Sequence, residues 1–378
     1  MSIRNNNLGS INKPGFNALG AQTSVTTYTY ELWSWGFNTT GQLGLGDATN
    51  KSSPNQVGSL TNWLNVTTSY YWAIATKTDG TLWSWGGNGF GQLGLGNITN
   101  YSSPKQVGAL TTWLKVSSGY WNSQAVKSDG TLWAWGRNNK GQLGLGNITN
   151  YSSPKQVGAL TTWYAIANGR NHSIAIKTDG TLWSWGNNAS GQLGLSNLTD
   201  YSSPKQVGAL TTWLAIVGGQ YFNIATKTNG TLWSWGINGQ GQLGLGNLTE
   251  YSSPKQVGAL TTWLNVAAGN TYTVVTKTDG TLWAWGGNDS GQLGLGNTTY
   301  YSSPKQVGAL TTWSTITGGS SHPLSVKTDG TLWTWGKNTQ GQLGLGNVTN
   351  YSSPKQVGAL TTWGSAVGGT NLSIALKY

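Results

Sequence analysis

The chain has no cysteine in its 378 residues, which excludes a disulfide framework, a thiol nucleophile and a cysteine-ligated zinc site. Charge is scarce as well: Asp, Glu, Lys and Arg make up 8% of the chain, against roughly 25% in an average soluble protein. Acids are the rarer sign, 10 against 21 Lys plus Arg, and the net charge is +11. No paired carboxylates stand at a spacing suited to acid–base work. The aspartates at 79, 129, 179, 279 and 329 each precede a glycine, where hairpin-turn chemistry accounts for them. Only His172 and His322 offer near-neutral bases. No apolar run approaches the ~18 residues of a membrane span, and residues 1–20 lack the apolar centre of a signal peptide. Membrane insertion is therefore not expected. Basic clusters and tails are absent too, so specific nucleic-acid binding is not expected. Helix signals are missing throughout.

What the chain has in excess is glycine, 57 copies, and tryptophan, 23 copies. They are organised by one repeated stretch, Gly-Thr-Leu-Trp-Ser-Trp-Gly and then Gly-Gln-Leu-Gly-Leu-Gly, as at 80–86 and 91–96. The second block begins at Gly41, Gly91, Gly141, Gly191, Gly241, Gly291 and Gly341, every 50 residues without insertion or deletion. Repeats of this length mark solenoids or propellers, whose units bury apolar faces only against their neighbours. The glycine block is not the Gly-x-Gly-x-x-Gly of a nucleotide site and opens no helix. The Gly-Asn-Ile-Thr-Asn loop beyond it offers amides but no carboxylate for calcium. No cofactor, metal or catalytic group is expected, and the protein is read as a non-enzyme. The Asn-x-Ser/Thr sequons at Asn97 and its counterparts read as turn residues.

Each copy holds four short extended segments. Residues 82–85 alternate Leu-Trp-Ser-Trp, as a strand requires. Residues 104–107 open on a proline, which suits an edge strand. Residues 114–117 and 123–127 flank a glycine turn, and the latter run into Asp129-Gly130, a strong hairpin signal. Four antiparallel strands per copy in seven copies predict an all-β, seven-bladed β-propeller. The Trp-x-Trp strands are expected between neighbouring blades, with a small residue (Ser34, Ser84, Ala134, Ser184, Ser234, Ala284, Thr334) between the two indoles. Two lysine series, Lys77 to Lys377 and Lys105 to Lys355, are expected as rings of solubilising surface charge.

Leu-Trp-x-Trp-Gly-x-Asn-x-x-Gly-Gln-Leu-Gly-Leu-Gly, a later Ser-Pro-x-Gln-Val and a Gly-Gly or Ser-Gly turn together resemble the regulator of chromosome condensation repeat. The resemblance spans residues 30–378, and the uniform spelling of the copies is more similar to bacterial and phage members. It implies seven blades of four antiparallel strands. In the family's strand order the last blade is assembled from both chain ends, Leu372–Lys377 pairing with residues 32–35. Residues 1–29 fall outside the repeats and are expected to be an arm that anchors the disc to a larger assembly.

That order sorts the loops onto two faces. The Asp-Gly turns and Gly-Ala-Leu-Thr-Thr-Trp connections form a face that hardly changes from copy to copy. The inner turns and the Gly-x-Asn-x-x-Gly-Gln loops form one that differs in every copy. Rigid scaffolds carry function on such loops, and aromatic loops make good anchors. The residues expected to meet a partner are Tyr70, Tyr71, Trp72, Tyr120, Trp121, Asn122, Arg170, His172, Gln220, Tyr221, Phe222, Tyr272 and His322. Outer-loop variation adds Phe37, Phe90, Arg137, Lys140, Ile237, Gln240, Asp289 and Lys337. The expected function is a non-enzymatic binding or structural propeller that takes a protein or glycan on this face, set in a phage virion or on a bacterial or cell surface. The alternative implied by the resemblance is an intracellular regulator of guanine-nucleotide exchange on a small GTPase, although no copy here carries an insertion.

Overall fold

A computed structural model describes residues 29–378; apart from Thr29, the expected arm lies outside the described residues. Seven four-stranded antiparallel sheets form the blades of a ring. In the first complete blade, Trp63–Thr68, Trp72–Lys77, Leu82–Gly86 and Tyr101–Gln106 neighbour one another in sequence order. The innermost strands contact each other right around the ring, Trp363–Gly368 touching Trp63–Thr68 to complete it. Pro104, which cannot donate a ladder hydrogen bond, lies on the outer edge strand.

The last blade combines Lys51–Gln56 and Glu31–Gly36 with Leu372–Lys377 and Trp363–Gly368. Glu31 faces Lys377 and Gly36 faces Leu372 in an unbroken register. Five of the other blades have an Asp-Gly hairpin there and one has Asn229-Gly230; in the first, Asp79 Oδ1 accepts from Thr81 Oγ1, and Thr81 Oγ1 accepts from Trp83 Nε1 at 2.8 Å. At the seam Glu31 takes both parts: its Oε2 accepts from Trp33 Nε1 and pairs with Lys377 Nζ, each at 2.9 Å. Those contacts, the lysine's first, hold the Glu31 carboxyl below its usual pKa.

The core is divided among the gaps between blades. Seven apolar clusters occupy them, each joining two neighbouring blades. Trp85 shows the pattern: fully buried, it meets Leu32 and Leu43 of the preceding blade and donates from Nε1 to Gln42 O at 3.1 Å. The glycine in Leu-Gly-Leu allows that approach. A Cβ on Gly44, at φ +75°, would lie 2.7 Å from Trp85 Nε1. Ser84 behind the indole is fully buried and donates to Leu93 O at 2.7 Å. Burying one tryptophan removes roughly 150–250 Å² from water, so each gap gains on the order of 4–6 kcal/mol per indole before entropy.

One lysine series departs from expectation. Lys77 is only 4% exposed, with Nζ 3.8 Å from the Trp83 ring centre and 4.7 Å from that of Trp63. Lys127, Lys177, Lys227 and Lys327 repeat this. The indole faces attract the ammonium while covering its methylenes. Desolvation, opposed by Asp79, lowers the Lys77 pKa. These lysines join the tryptophans as packing, whereas the Lys105 series stays exposed at the rim.

Candidate functional site

The loops separate by face. Gly87 N donates to Tyr71 O at 2.7 Å and Arg137 N to Trp121 O at 2.9 Å, joining outer loops to inner turns at one end of the blades. Trp113 N donates to Gly80 O at 3.0 Å and Thr78 N to Asn62 O at 2.9 Å, joining Asp-Gly turns to the interblade connections at the other.

Each inner turn projects two residues and then returns into the blade. Trp72 begins a strand opposite Gly86, and Asn122, His172, Phe222 and Tyr272 stand likewise. These five, together with His322, are fully buried. The expectation that Trp72, Asn122, His172, Phe222, Tyr272 and His322 reach a partner is therefore corrected: the third residue after Ser69 and its glycine counterparts turns inward where the strand resumes, which for His322 is one residue before Pro323–Lys327. Four of them brace the next blade. Asn122 Nδ2 donates to Asn168 Oδ1 at 3.3 Å, and Tyr272 OH donates to Gly319 O at 2.8 Å. His172 Nε2 meets Asn223 Oδ1 at 2.8 Å, and His322 Nε2 meets Ser373 Oγ at 3.1 Å.

Burial drives both imidazoles down to a pKa of about 4, so neither is a near-neutral base. An unfolded histidine titrates near 6.5. Native stability is thus fully present above that value and is lost as pH falls from about 6.5 toward about 4. Urea unfolding at pH 7 and 4.5 should show a loss on the order of 2 kcal/mol per histidine. The double variant His172→Phe, His322→Leu should be much flatter over that range, and an equal slope would contradict the assignment.

Tyr70, Tyr71, Tyr120, Trp121, Arg170, Gln220 and Tyr221 do reach the surface, each half-buried. Most of them form one array. Tyr70 contacts Tyr71, Tyr120 and Trp121, with ring centres 4.1, 5.6 and 5.7 Å apart. Phe37 extends the array beyond Tyr71, and Phe90 extends it beyond Trp121. Arg137 stacks over Phe90 at 5.0 Å, and Arg170 lies over both Tyr120 and Tyr221 at 5.2 and 5.6 Å. Across the disc the equivalent positions are Asn270, Thr271, Ser320, Ser321, Thr370 and Asn371, all small or polar. The inner turns are thus polarised, aromatic with Arg170 on one side and uncharged on the other, where the charges Asp289 and Lys337 sit in the outer loops.

At its centre is a cavity of about 100 Å³ ringed by the inner turns, including Ser69, Tyr120, Arg170 and Asn270. Tyr120 OH donates to Asn270 Oδ1 at 3.0 Å across this opening. Sequence reasoning left Asn270 out of the site, and no local signal marks it. Only ring closure brings residues 150 positions apart into contact. Among the described residues no three His, Asp or Glu side chains gather as a metal site would require, and no helix is long and apolar enough to cross a membrane.

A family model described as the RCC1-like domain matches residues 115–375. A second, for the regulator of chromosome condensation (RCC1) repeat, matches 31–75 and 79–126. No curated protein sequence matches the chain. Among solved structures the chain is similar to Prp20p of Saccharomyces cerevisiae, with 21% identity and a TM-score of 0.84 over 93% of this chain and 92% of that one. It is also similar to human WBSCR16, with 22% identity and a TM-score of 0.83 over 92% and 98%. Prp20p has been characterised for binding to Gsp1p and histones, and the same yeast protein has been seen bound to Kap60. At these identities the likeness establishes the fold.

Proposed function

We propose, from the premise that this chain belongs to the RCC1-like family of propellers, that it is a binding protein whose protein partner docks on the face carrying the diversified turns. The observation behind this reading is the contiguous array around Tyr70, Tyr71, Tyr120 and Trp121, confined to adjacent blades of a disc built from near-identical copies. Drift alone would scatter aromatics over all seven copies, whereas half-exposed aromatics gathered on adjacent blades have the composition of an interface centre. That Prp20p binds proteins supports the same class of function. Tyr30 enters the ring beside Trp63 and Asn62, at the uniform pole. In this reading residues 1–29 tether the disc at that pole to a larger assembly in a virion or on a bacterial surface. The exchange-factor alternative has no feature of its own here, since every copy has the same length and none carries an inserted segment.

The test uses immobilised protein and extract of its source, with the captured partner identified, purified and titrated. Tyr71→Ser with Trp121→Ser should weaken binding by at least about tenfold, the scale of an aromatic hot spot. Leu110→Ser with Leu160→Ser, on the uniform face, should leave affinity unchanged. The opposite pattern would overturn the assignment.

A further inference from the structure

We infer that the partner presents an acidic polypeptide segment to this array, a chemistry that rests on the docking face just proposed. Arg137 and Arg170 are held over aromatic rings at 5.0 and 5.2 Å, yet among the described residues neither has a carboxylate within ion-pair distance. Most acids that share this face are engaged elsewhere, and Glu250, exposed on the outer loop of the Tyr221 blade, lies beyond ion-pair distance of both arginines. Asp47 pairs with Lys51 at 3.0 Å, Asp200 with Lys140 at 3.4 Å, and Asp289 accepts from Tyr300 on the far side of the disc. The aromatic half therefore offers two oriented guanidiniums, whose N–H groups only donate, with no carboxylate paired to either. Carboxylates match that inventory with charge-assisted, paired hydrogen bonds.

A neutral glycan fits less well. Its hydroxyls need acceptors as well as donors, and it stacks best on an open, flat ring. Here Tyr70 stands edge-on to Tyr71 at 76°, and Trp121 meets Phe90 at 64°, so the array presents ridges and clefts suited to apolar side chains between acidic ones. The axial cavity beside Arg170, about 100 Å³ and lined by Ser69, Asn270 and Thr370, has room for a single carboxylate side chain.

The probes are fluorescein-labelled random Glu–Tyr and Lys–Tyr copolymers, a neutral Gln–Tyr peptide and hyaluronate, read by anisotropy against the full chain. The Glu–Tyr copolymer should bind about tenfold more tightly than the others, and its binding should weaken as salt rises from about 50 to about 300 mM. Arg137→Gln with Arg170→Gln should cost about tenfold with an unchanged melting curve. Equal binding of the Gln–Tyr peptide, tighter binding of hyaluronate, or indifference to the arginine substitutions would overturn the acidic assignment. Tyr71→Ser with Trp121→Ser separates the two readings. If the neutral peptide binds and these substitutions abolish it, the docking face stands and the acidic chemistry falls. If no probe responds to them, both fall.

Discussion

Replacing Gln124 with isoleucine is expected to stabilise the protein by about 2–4 kcal/mol. Gln124 is fully buried in the strand Asn122–Lys127, and neither its amide oxygen nor its amide nitrogen has a hydrogen-bond partner. A buried polar group without a partner costs about 1–3 kcal/mol, and here two such atoms sit on one side chain. The other copies carry Ile74, Ile174, Ile224, Val274, Leu324 and Ile374 at this position, every one fully buried. Ile74 packs with Leu82 and with Trp113 and Trp135 of the next blade, so the fold already accommodates isoleucine in this register. Urea unfolding of Gln124→Ile against the wild type decides the point. An unchanged midpoint would mean that the amide is satisfied in the native state.

Deleting residues 372–378 should have the opposite and larger effect, loss of the whole cooperative fold. Leu372, Ile374, Ala375 and Leu376 are all fully buried, and the three larger ones are each worth about 1.5–3 kcal/mol on burial. Their strand is the one that pairs with both Glu31–Gly36 and Trp363–Gly368. Its removal bares two strand edges and opens two interblade clusters. The loss rivals the roughly 5–15 kcal/mol that holds a typical domain together, and the bared edges invite aggregation. Circular dichroism melts and gel filtration should show an unfolded or aggregated chain. A permutant that joins residue 378 to residue 30 through an Asp-Gly turn and opens at Asp129-Gly130 should melt like the wild type, since it keeps the blade and only moves the cut. A truncated chain that melted normally would show that ring closure is dispensable.

Blade number was legible in the chain because it rests on spacing, whereas the composite last blade and the two-face sorting of loops followed from the strand order that the family resemblance implied. Within each copy the glycine equivalent to Gly44 is fixed by indole packing, since at Gly44 a Cβ would press on Trp85 in the next gap. The candidate site was legible only in outline. Sequence counting placed Tyr70 and Tyr71 on the turn correctly but carried it one residue too far, to Trp72, because nothing in Tyr-Tyr-Trp says where the strand opposite Gly86 resumes. The Lys77 series misled for a similar reason. Lysine is ordinarily a surface residue, and its sandwich between Trp63 and Trp83 depends on residues from two other strands of the sheet.

Local, periodic features needed only the order of residues: seven copies, four strands in each, Asp-Gly hairpins, and glycines where the chain turns tightly. Contacts between copies required the closed ring. Tyr120 meets Asn270 across the axis, Arg170 lies between Tyr120 and Tyr221, and His172 reaches Asn223. A repeat dictates its own strands through side-chain alternation. Which residues of different repeats face one another depends on the curvature that indole packing imposes on all seven gaps together.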